Sequence, residues 1–248
     1  MSEKQRLDQM LVARKLVTSR SQAESYIKLG QVTVNRRVIT KPGHAVQPSD
    51  EIRLTAKEQY VSRAGLKLAS VAAALGLDFK NKVMLDVGSS TGGFTDYALR
   101  HGARKVIAVD VGTDQLHASL RTDERVELHE KTDIRQFKTA ERIDVVVIDV
   151  SFISLREILP AVARLSTGRT QIVAMVKPQF EAGIRGSIAD GRRSLKHKGV
   201  IKNDRMRREI LKDFEDWARG DFIIIDKADS QVSGSKGNQE RFYLLRKL

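Results

Sequence analysis

The chain has 248 residues, of which 41% are hydrophobic and 5% aromatic, with a formal net charge of +13 and no cysteine. That length holds one large domain or one medium and one small. The missing thiols exclude disulfides, thiolate metal sites and cysteine nucleophiles, and the scarcity of aromatics argues against broad stacking on many bases. A basic surplus of this size favours a polyanionic partner, most often nucleic acid, over a surface that is merely basic. The start, Met1-Ser2-Glu3-Lys4-Gln5-Arg6, lacks the apolar region of a signal peptide and no apolar run approaches bilayer length, so a cytoplasmic protein is the expectation.

Leu7, Met10 and Leu11 share one helical face, and Ser19-Arg20-Ser21-Gln22-Ala23-Glu24 opens a second helix, with Ser21 and Glu24 spaced as a capping box. Gly30 is a C-cap candidate. Val32-Thr33-Val34 and Val38-Ile39 flank Asn35-Arg36-Arg37 as a short hairpin, and Glu51-Ile52-Arg53-Leu54 supplies a further strand. Two helices feeding a small sheet would present Arg14, Lys15, Arg20, Lys28, Arg36 and Arg37 to a phosphate backbone. Arg6-Leu7-Asp8-Gln9-Met10-Leu11, Ser19-Arg20-Ser21-Gln22-Ala23 and Gly30-Gln31-Val32-Thr33-Val34-Asn35 resemble the alpha-L RNA-binding motif of a small-subunit ribosomal protein and of pseudouridine synthases. The competing reading is a basic dimerisation or packing module. Residues 1–57 are therefore expected to form a small α+β RNA-binding domain, with 58–62 as linker.

From residue 63 onward α and β signals alternate: a helix near Ser62–Leu68, then apolar strands at Val83–Val87, Val106–Asp110, Val145–Asp149, Ile172–Val176, Phe222–Ile225 and Phe242–Leu245. Such alternation predicts one mostly parallel, doubly wound sheet over 63–248, with its site at the carboxyl ends of the strands. Those ends carry Asp86, Asp110, Asp149 and Lys177, and Asp133 follows a weak strand near Val126–His129.

The first strand runs into Asp86-Val87-Gly88-Ser89-Ser90-Thr91-Gly92-Gly93-Phe94-Thr95, a glycine- and hydroxyl-rich turn that opens a helix. Glycines let backbone approach a ligand, and a helix start offers N–H groups. Ser90 replaces the middle glycine of a dinucleotide fingerprint, and no lysine follows Gly92-Gly93 as a P-loop requires. Asp86 would repel phosphate but suit a cationic amino-acid ligand, while Asp110 stands where a ribose would be held. Together they fit S-adenosylmethionine, with Asp133 in reach of the adenine amino group. The bland alternative is an ordinary βα turn with capping hydroxyls.

Asp149 and Lys177 each follow a very apolar strand, where a charge leaving the core is usually paired or functional. With Lys67 and Glu240 they make a possible set of two lysines and two carboxylates. Methylating a ribose 2′-hydroxyl needs a base, and a lysine can serve if desolvation and a neighbouring lysine lower its pKa. Taken singly, each lysine reads equally as a surface cation or salt-bridge partner.

Over nearly its whole length the chain resembles the TlyA family of rRNA 2′-O-ribose methyltransferases, also labelled haemolysins. The resemblance is carried by Tyr60-Val61-Ser62-Arg63-Ala64-Gly65-Leu66-Lys67-Leu68, the Asp86–Thr95 turn and Ala108-Val109-Asp110-Val111-Gly112. It continues in Asp149-Val150-Ser151-Phe152-Ile153-Ser154-Leu155 and Val176-Lys177-Pro178-Gln179-Phe180-Glu181-Ala182-Gly183. It implies a Rossmann-like methyltransferase domain of the FtsJ type, S-adenosylmethionine as cofactor, no metal, and a partner that is ribosomal RNA or a ribosomal subunit. It also implies a catalytic set on Lys67, Asp149, Lys177 and Glu240, cofactor contacts from Asp86 and Gly88 through Phe94 to Asp110, Val111 and Asp133, and RNA contacts from Arg6 and Arg63 besides the N-terminal cations. The C-terminal third departs from the family pattern. Ser187–Lys198 is longer and more basic, Arg207 stands where a histidine is usual, Ser230-Gln231 replaces Ser-Pro, and Arg241 follows Glu240 in place of an apolar residue. Two other classes stand beside this one: a non-catalytic RNA-binding or ribosome-assembly factor, and a membrane-active haemolysin, for which no amphipathic or apolar membrane segment is readable.

Overall fold

The computed structural model describes residues 4–56, 58–182, 199–201, 203–234 and 237–248. The basic run Arg192–Lys198 and Lys202 lie outside the described residues. In the N-terminal module, β1 (Gln5–Arg6) leads into α1 (Leu7–Ala13) and α2 (Arg20–Lys28). There follow β2 (Val32–Val34), β3 (Arg37–Val38), β4 (Ala45–Val46) and β5 (Ile52–Leu54). Leu7, Met10 and Leu11 of α1 pack with Ala23, Tyr26 and Ile27 of α2 in one buried cluster.

The cap of α2 differs from the Ser21–Glu24 box. Ser19 is the N-cap, its hydroxyl accepting from the Gln22 amide. Gln22 Oε1 reaches back to the Thr18 backbone N–H at 3.0 Å. Ser19 and Gln22 thus satisfy helix-end donors in the manner of a capping box, two residues earlier than Ser21 and Glu24 would. Strands β2 and β3 form the expected hairpin, closed by Asn35 and Arg36, both left-handed (φ 50° and 67°). This is the two-residue turn whose twist suits a hairpin.

The larger domain comprises α3 (Arg63–Ala72), β6 (Val83–Val87), α4 (Gly93–Arg100), β7 (Lys105–Val109), α5 (Ala118–Arg121), β8 (Val126–His129) and β9 (Val145–Ile148). It continues through α6 (Leu155–Leu165), β10 (Gln171–Val176), α7 (Pro178–Glu181), α8 (Asp204–Ala218), β11 (Phe222–Asp229) and β12 (Arg241–Lys247). Seven of these strands form one sheet in the order β11-β12-β10-β9-β6-β7-β8. It is parallel from β10 to β8, while β12 pairs antiparallel with both β10 and β11.

Alternate residues of the central strands feed two cores. Met84, Val106, Val147 and Val173 face one, Leu85, Ile107, Val146 and Ile172 the other, as expected for a parallel sheet covered on both faces. The first core is continuous with that of the N-terminal module, and Tyr60 belongs to it. Gln22 Nε2 of α2 donates to the Tyr60 carbonyl at 2.9 Å, and the Val61 amide donates to Asp96 of α4 at 2.8 Å.

Candidate active site

After β6 the chain turns to one side of the sheet (β7, β8), and after β8 it returns to place β9 on the other side of β6. The carboxyl ends of β6 and β9 therefore flank a topological switch point, where an open α/β sheet leaves a crevice. Gly88 and Asp149 meet there. Gly88 has φ +81°, and a Cβ on it would stand 2.7 Å from the Asp149 carbonyl oxygen. The glycine is required both by its backbone and by this close approach. A second tight contact sets α3 against α4, because a Cβ on Gly93 would lie 2.4 Å from Ser62 Oγ and 2.7 Å from the Gly65 amide nitrogen. This approach brings Lys67 of α3 to the mouth of the glycine turn.

Two cavities open at the switch point, of about 700 and 550 Å³, and share Gly88, Ser90, Asp149, Ser151 and Phe152 in their walls. Asp86 lies at the floor of the larger, 1% exposed. Thr95 donates to its Oδ2 at 2.7 Å, while Oδ1 is buried without a partner, as is Ser89 Oγ. Burial, opposed by Thr95 and reinforced by the negative charges of Asp149 and Asp110, pushes the Asp86 carboxyl up to about 7. A buried carboxyl short of one partner is a receptor for a cation.

The two lysines and two carboxylates face the same cavity. Lys67 Nζ lies 2.6 Å from Glu240 Oε2, with 6% and 3% of the side chains exposed. Lys177 Nζ lies 2.5 Å from Asp149 Oδ1 and donates to Ser151 Oγ at 2.7 Å. The carboxylate oxygen of each pair is close to its ammonium but off the line of a good hydrogen bond, so the contacts are chiefly charge on charge. Ser151 is a site residue that the strand-end logic overlooked. Its signal was a hydroxyl two positions past a strand-terminal carboxylate. Phe152 was overlooked too. It is 91% exposed, carries φ +67° and tilts against Phe180 at 5.2 Å. Beneath them, Glu181 accepts from Ser154 Oγ at 2.6 Å and from the Leu155 amide at 2.8 Å, tying the loop that carries Lys177 to the loop that carries Asp149.

The smaller cavity holds Asp110, Val111 and Asp133. Asp110 accepts from the Ser90 amide at 2.8 Å and from the Gly112 amide at 2.7 Å, fixing its carboxylate at the end of β7. Val111 stands exposed beside it, and Gln115, which the sequence did not single out, accepts from Ser90 Oγ at 3.0 Å. Asp133 reaches the wall but is paired in a fork with Arg135, which holds its carboxyl below the usual range. Ser90, Thr91 and Phe94 line the larger cavity, and Gly92, with φ +91°, opens α4.

The FtsJ-like methyltransferase family matches residues 60–247, and the S4 domain family matches residues 5–52. The 16S/23S rRNA (cytidine-2′-O)-methyltransferase TlyA of Mycobacterium tuberculosis is 37% identical over 254 residues, covering 99% of this chain and 91% of its own. This chain belongs to the TlyA family of FtsJ-like methyltransferases. Hemolysin A of Brachyspira hyodysenteriae is 37% identical over 95% of this chain and 97% of its own length. A solved structure of a hemolysin-named protein from Streptococcus thermophilus is 36% identical, with a TM-score of 0.69 over 100% of this chain and 90% of that one.

The cofactor implied for a TlyA-family methyltransferase is S-adenosylmethionine, and the residues present fit it. The unpartnered Asp86 oxygen suits its ammonium, the Gly88 cradle admits its backbone-like portion, and the Asp110 carboxylate at the next strand end suits its ribose. Among the described residues, no helix is long and apolar enough to cross a membrane.

In the S4 domain of this TlyA-family chain the expected RNA-contacting cations divide into three groups. Lys15, Lys28, Arg36 and Arg37 stand exposed. Arg6 and Arg20 both pair with the buried Asp8, whose carboxyl they hold low against the cost of burial. They keep about half of their side chains exposed. Arg14 turns inward, donating to the carbonyls of Asp50 at 2.9 Å and Pro48 at 2.7 Å, and acts as a brace of the small sheet. Arg63, in the first turn of α3, lines the larger cavity.

Proposed function

We propose that this chain methylates ribose 2′-hydroxyls of ribosomal RNA, drawing the methyl group from S-adenosylmethionine. The observation that carries the proposal is the pair of lysine–carboxylate contacts, Lys67–Glu240 and Lys177–Asp149, facing one cavity beside the glycine turn. S-adenosylmethionine supplies an electrophilic methyl group when bound, held by Asp86, Gly88 to Phe94, Asp110, Val111 and Asp133.

A ribose hydroxyl is a poor nucleophile until its proton is taken, so one amine of the set acts as base. Lys177 fills that role. Ser151 and Asp149 hold its Nζ from two sides, where the amine in its neutral form would accept the proton of the ribose hydroxyl. Lys67 and Glu240 orient the ribose and balance the charge. Most of the acceleration comes from holding the reactants in line inside the cavity, with the base adding about a hundred- to ten-thousandfold. The exposed face of Phe152 offers a stacking platform for an unpaired base at the cavity mouth.

Residues 1–57 contribute RNA affinity and 63–248 the chemistry, with 58–62 joining them. Arg6, Arg20 and Arg63 join the exposed S4 cations in meeting phosphates, and the substrate is RNA within a ribosomal subunit. Ribosomal subunits incubated with the protein and methyl-labelled cofactor should carry label on ribose 2′-oxygens, absent with Lys177→Ala. Label on base nitrogens or carbons would refute the proposal. A non-catalytic assembly role would show as RNA binding without cofactor affinity in calorimetric titration.

A further inference from the structure

Glu240 ends a loop and begins a strand, and its carboxylate can serve Lys67 only if the main chain there is held. The structure shows how. Arg241, the first residue of β12, pairs in register with Asp229, the last of β11. Arg241 Nε lies 2.6 Å from Asp229 Oδ1. Arg207 of α8 donates to the same oxygen at 2.6 Å through one nitrogen and to the Gln239 carbonyl at 3.2 Å through another. On the other side of Glu240, its own carbonyl accepts from the Ser230 amide at 3.0 Å. The peptide on each side of the catalytic glutamate is thus tied to the β11 terminus or to α8. Arg207 and Arg241 thus meet on one carboxylate.

A further link runs to the lysine. Ser70 Oγ donates to the Lys67 carbonyl at 2.6 Å and accepts from the Gln231 amide at 3.3 Å. The helix that carries Lys67 and the β11 tail that holds Glu240 therefore share a hydroxyl. We infer that Arg207, bridging Asp229 and the Gln239 carbonyl, is a positioning residue that sets the Glu240 carboxylate against Lys67. The inference rests on the proposed catalytic role of Glu240. A guanidinium suits the task because its fork serves a carboxylate and a carbonyl at once, whereas an ammonium is a point charge. Burial would raise the Asp229 carboxyl, but Arg241 and Arg207 together hold it below the usual range, so the fork stays charged at neutral pH.

The experiment is a double-mutant cycle in the full chain with Arg207→Met, Glu240→Gln and the double variant, read as kcat and KM on ribosomal subunits, with cofactor affinity by calorimetry. Arg207→Met should lower kcat by about tenfold or more while KM and cofactor affinity stay within about twofold. In the Glu240→Gln background the same substitution should cost little further, because its effect passes through Glu240. Arg207→Lys, which keeps the charge but loses the fork, should fall between wild type and Arg207→Met and guards against an unfolded variant. Wild-type kcat in a folded Arg207→Met protein, or an equal loss on top of Glu240→Gln, would overturn the inference. Wild-type turnover in Glu240→Gln would instead remove the role of Glu240 itself, and the inference with it.

Discussion

Asp86 is buried against Thr95 with one oxygen unpartnered and is pushed up to about 7. A carboxyl raised from 3.8 by folding binds its proton more tightly in the folded chain. Its contribution to stability is present in full below the unfolded value and is lost as pH rises through about 7. A cationic ligand seated on Asp86 needs the ionised form, so its affinity should move the opposite way. S-adenosylmethionine binding should strengthen from about pH 6 to about pH 8, with proton release seen by calorimetry in buffers of different ionisation enthalpy. Asp86→Asn should weaken binding and flatten its pH dependence. Unchanged affinity and slope in that variant would place the ammonium elsewhere. The chemistry of Asp86 was legible in the sequence, since a carboxylate at a strand end before a glycine turn repels phosphate. The orphaned oxygen was not, because it depends on which side chains crowd around it.

At the scale of elements, the site hangs on the junction of β6 and β9. Gly88→Ala combines a left-handed backbone with a Cβ 2.7 Å from the Asp149 carbonyl. It should cost more than about 1 kcal/mol of stability and displace the strand end that carries Asp149. A lowered melting temperature together with lost turnover checks this, and an Ala variant with wild-type values for both would contradict it. The central strands could be read in advance, because buried parallel strands such as Val145–Ile148 are unbroken apolar runs. The pairing of Lys67 with Glu240 could not, since their elements meet only after the antiparallel β12 inserts beside β10. Likewise the start of α2 shifted to Ser19, where Gln22 reaches back to Thr18, a competition between two serines that spacing alone leaves open.

For the whole molecule, a net charge of +13 makes association with RNA dependent on salt through released counterions. Charge reversal at Lys28, Arg36 or Arg37 should weaken binding of ribosomal RNA and lower the slope of log K against log salt by about one per lost phosphate contact. Cofactor affinity should not change. Arg14, which composition alone made equivalent to these, is expected to act differently. Its guanidinium holds the Pro48 and Asp50 carbonyls, so its loss should show first as a lower melting temperature. An unaltered salt slope in the three exposed variants would put the RNA surface elsewhere.

The central claim is that a lysine amine, oriented by Ser151 and Asp149, takes the proton of a ribose hydroxyl. The most direct measurement is single-turnover methylation of ribosomal subunits by Lys177→Arg. A guanidinium keeps the charge and can still contact Asp149, but it stays protonated and cannot act as the base. The rate should fall by about a hundredfold or more with cofactor and RNA binding retained. Methylation at the wild-type rate would contradict the account, reducing Lys177 to an electrostatic anchor.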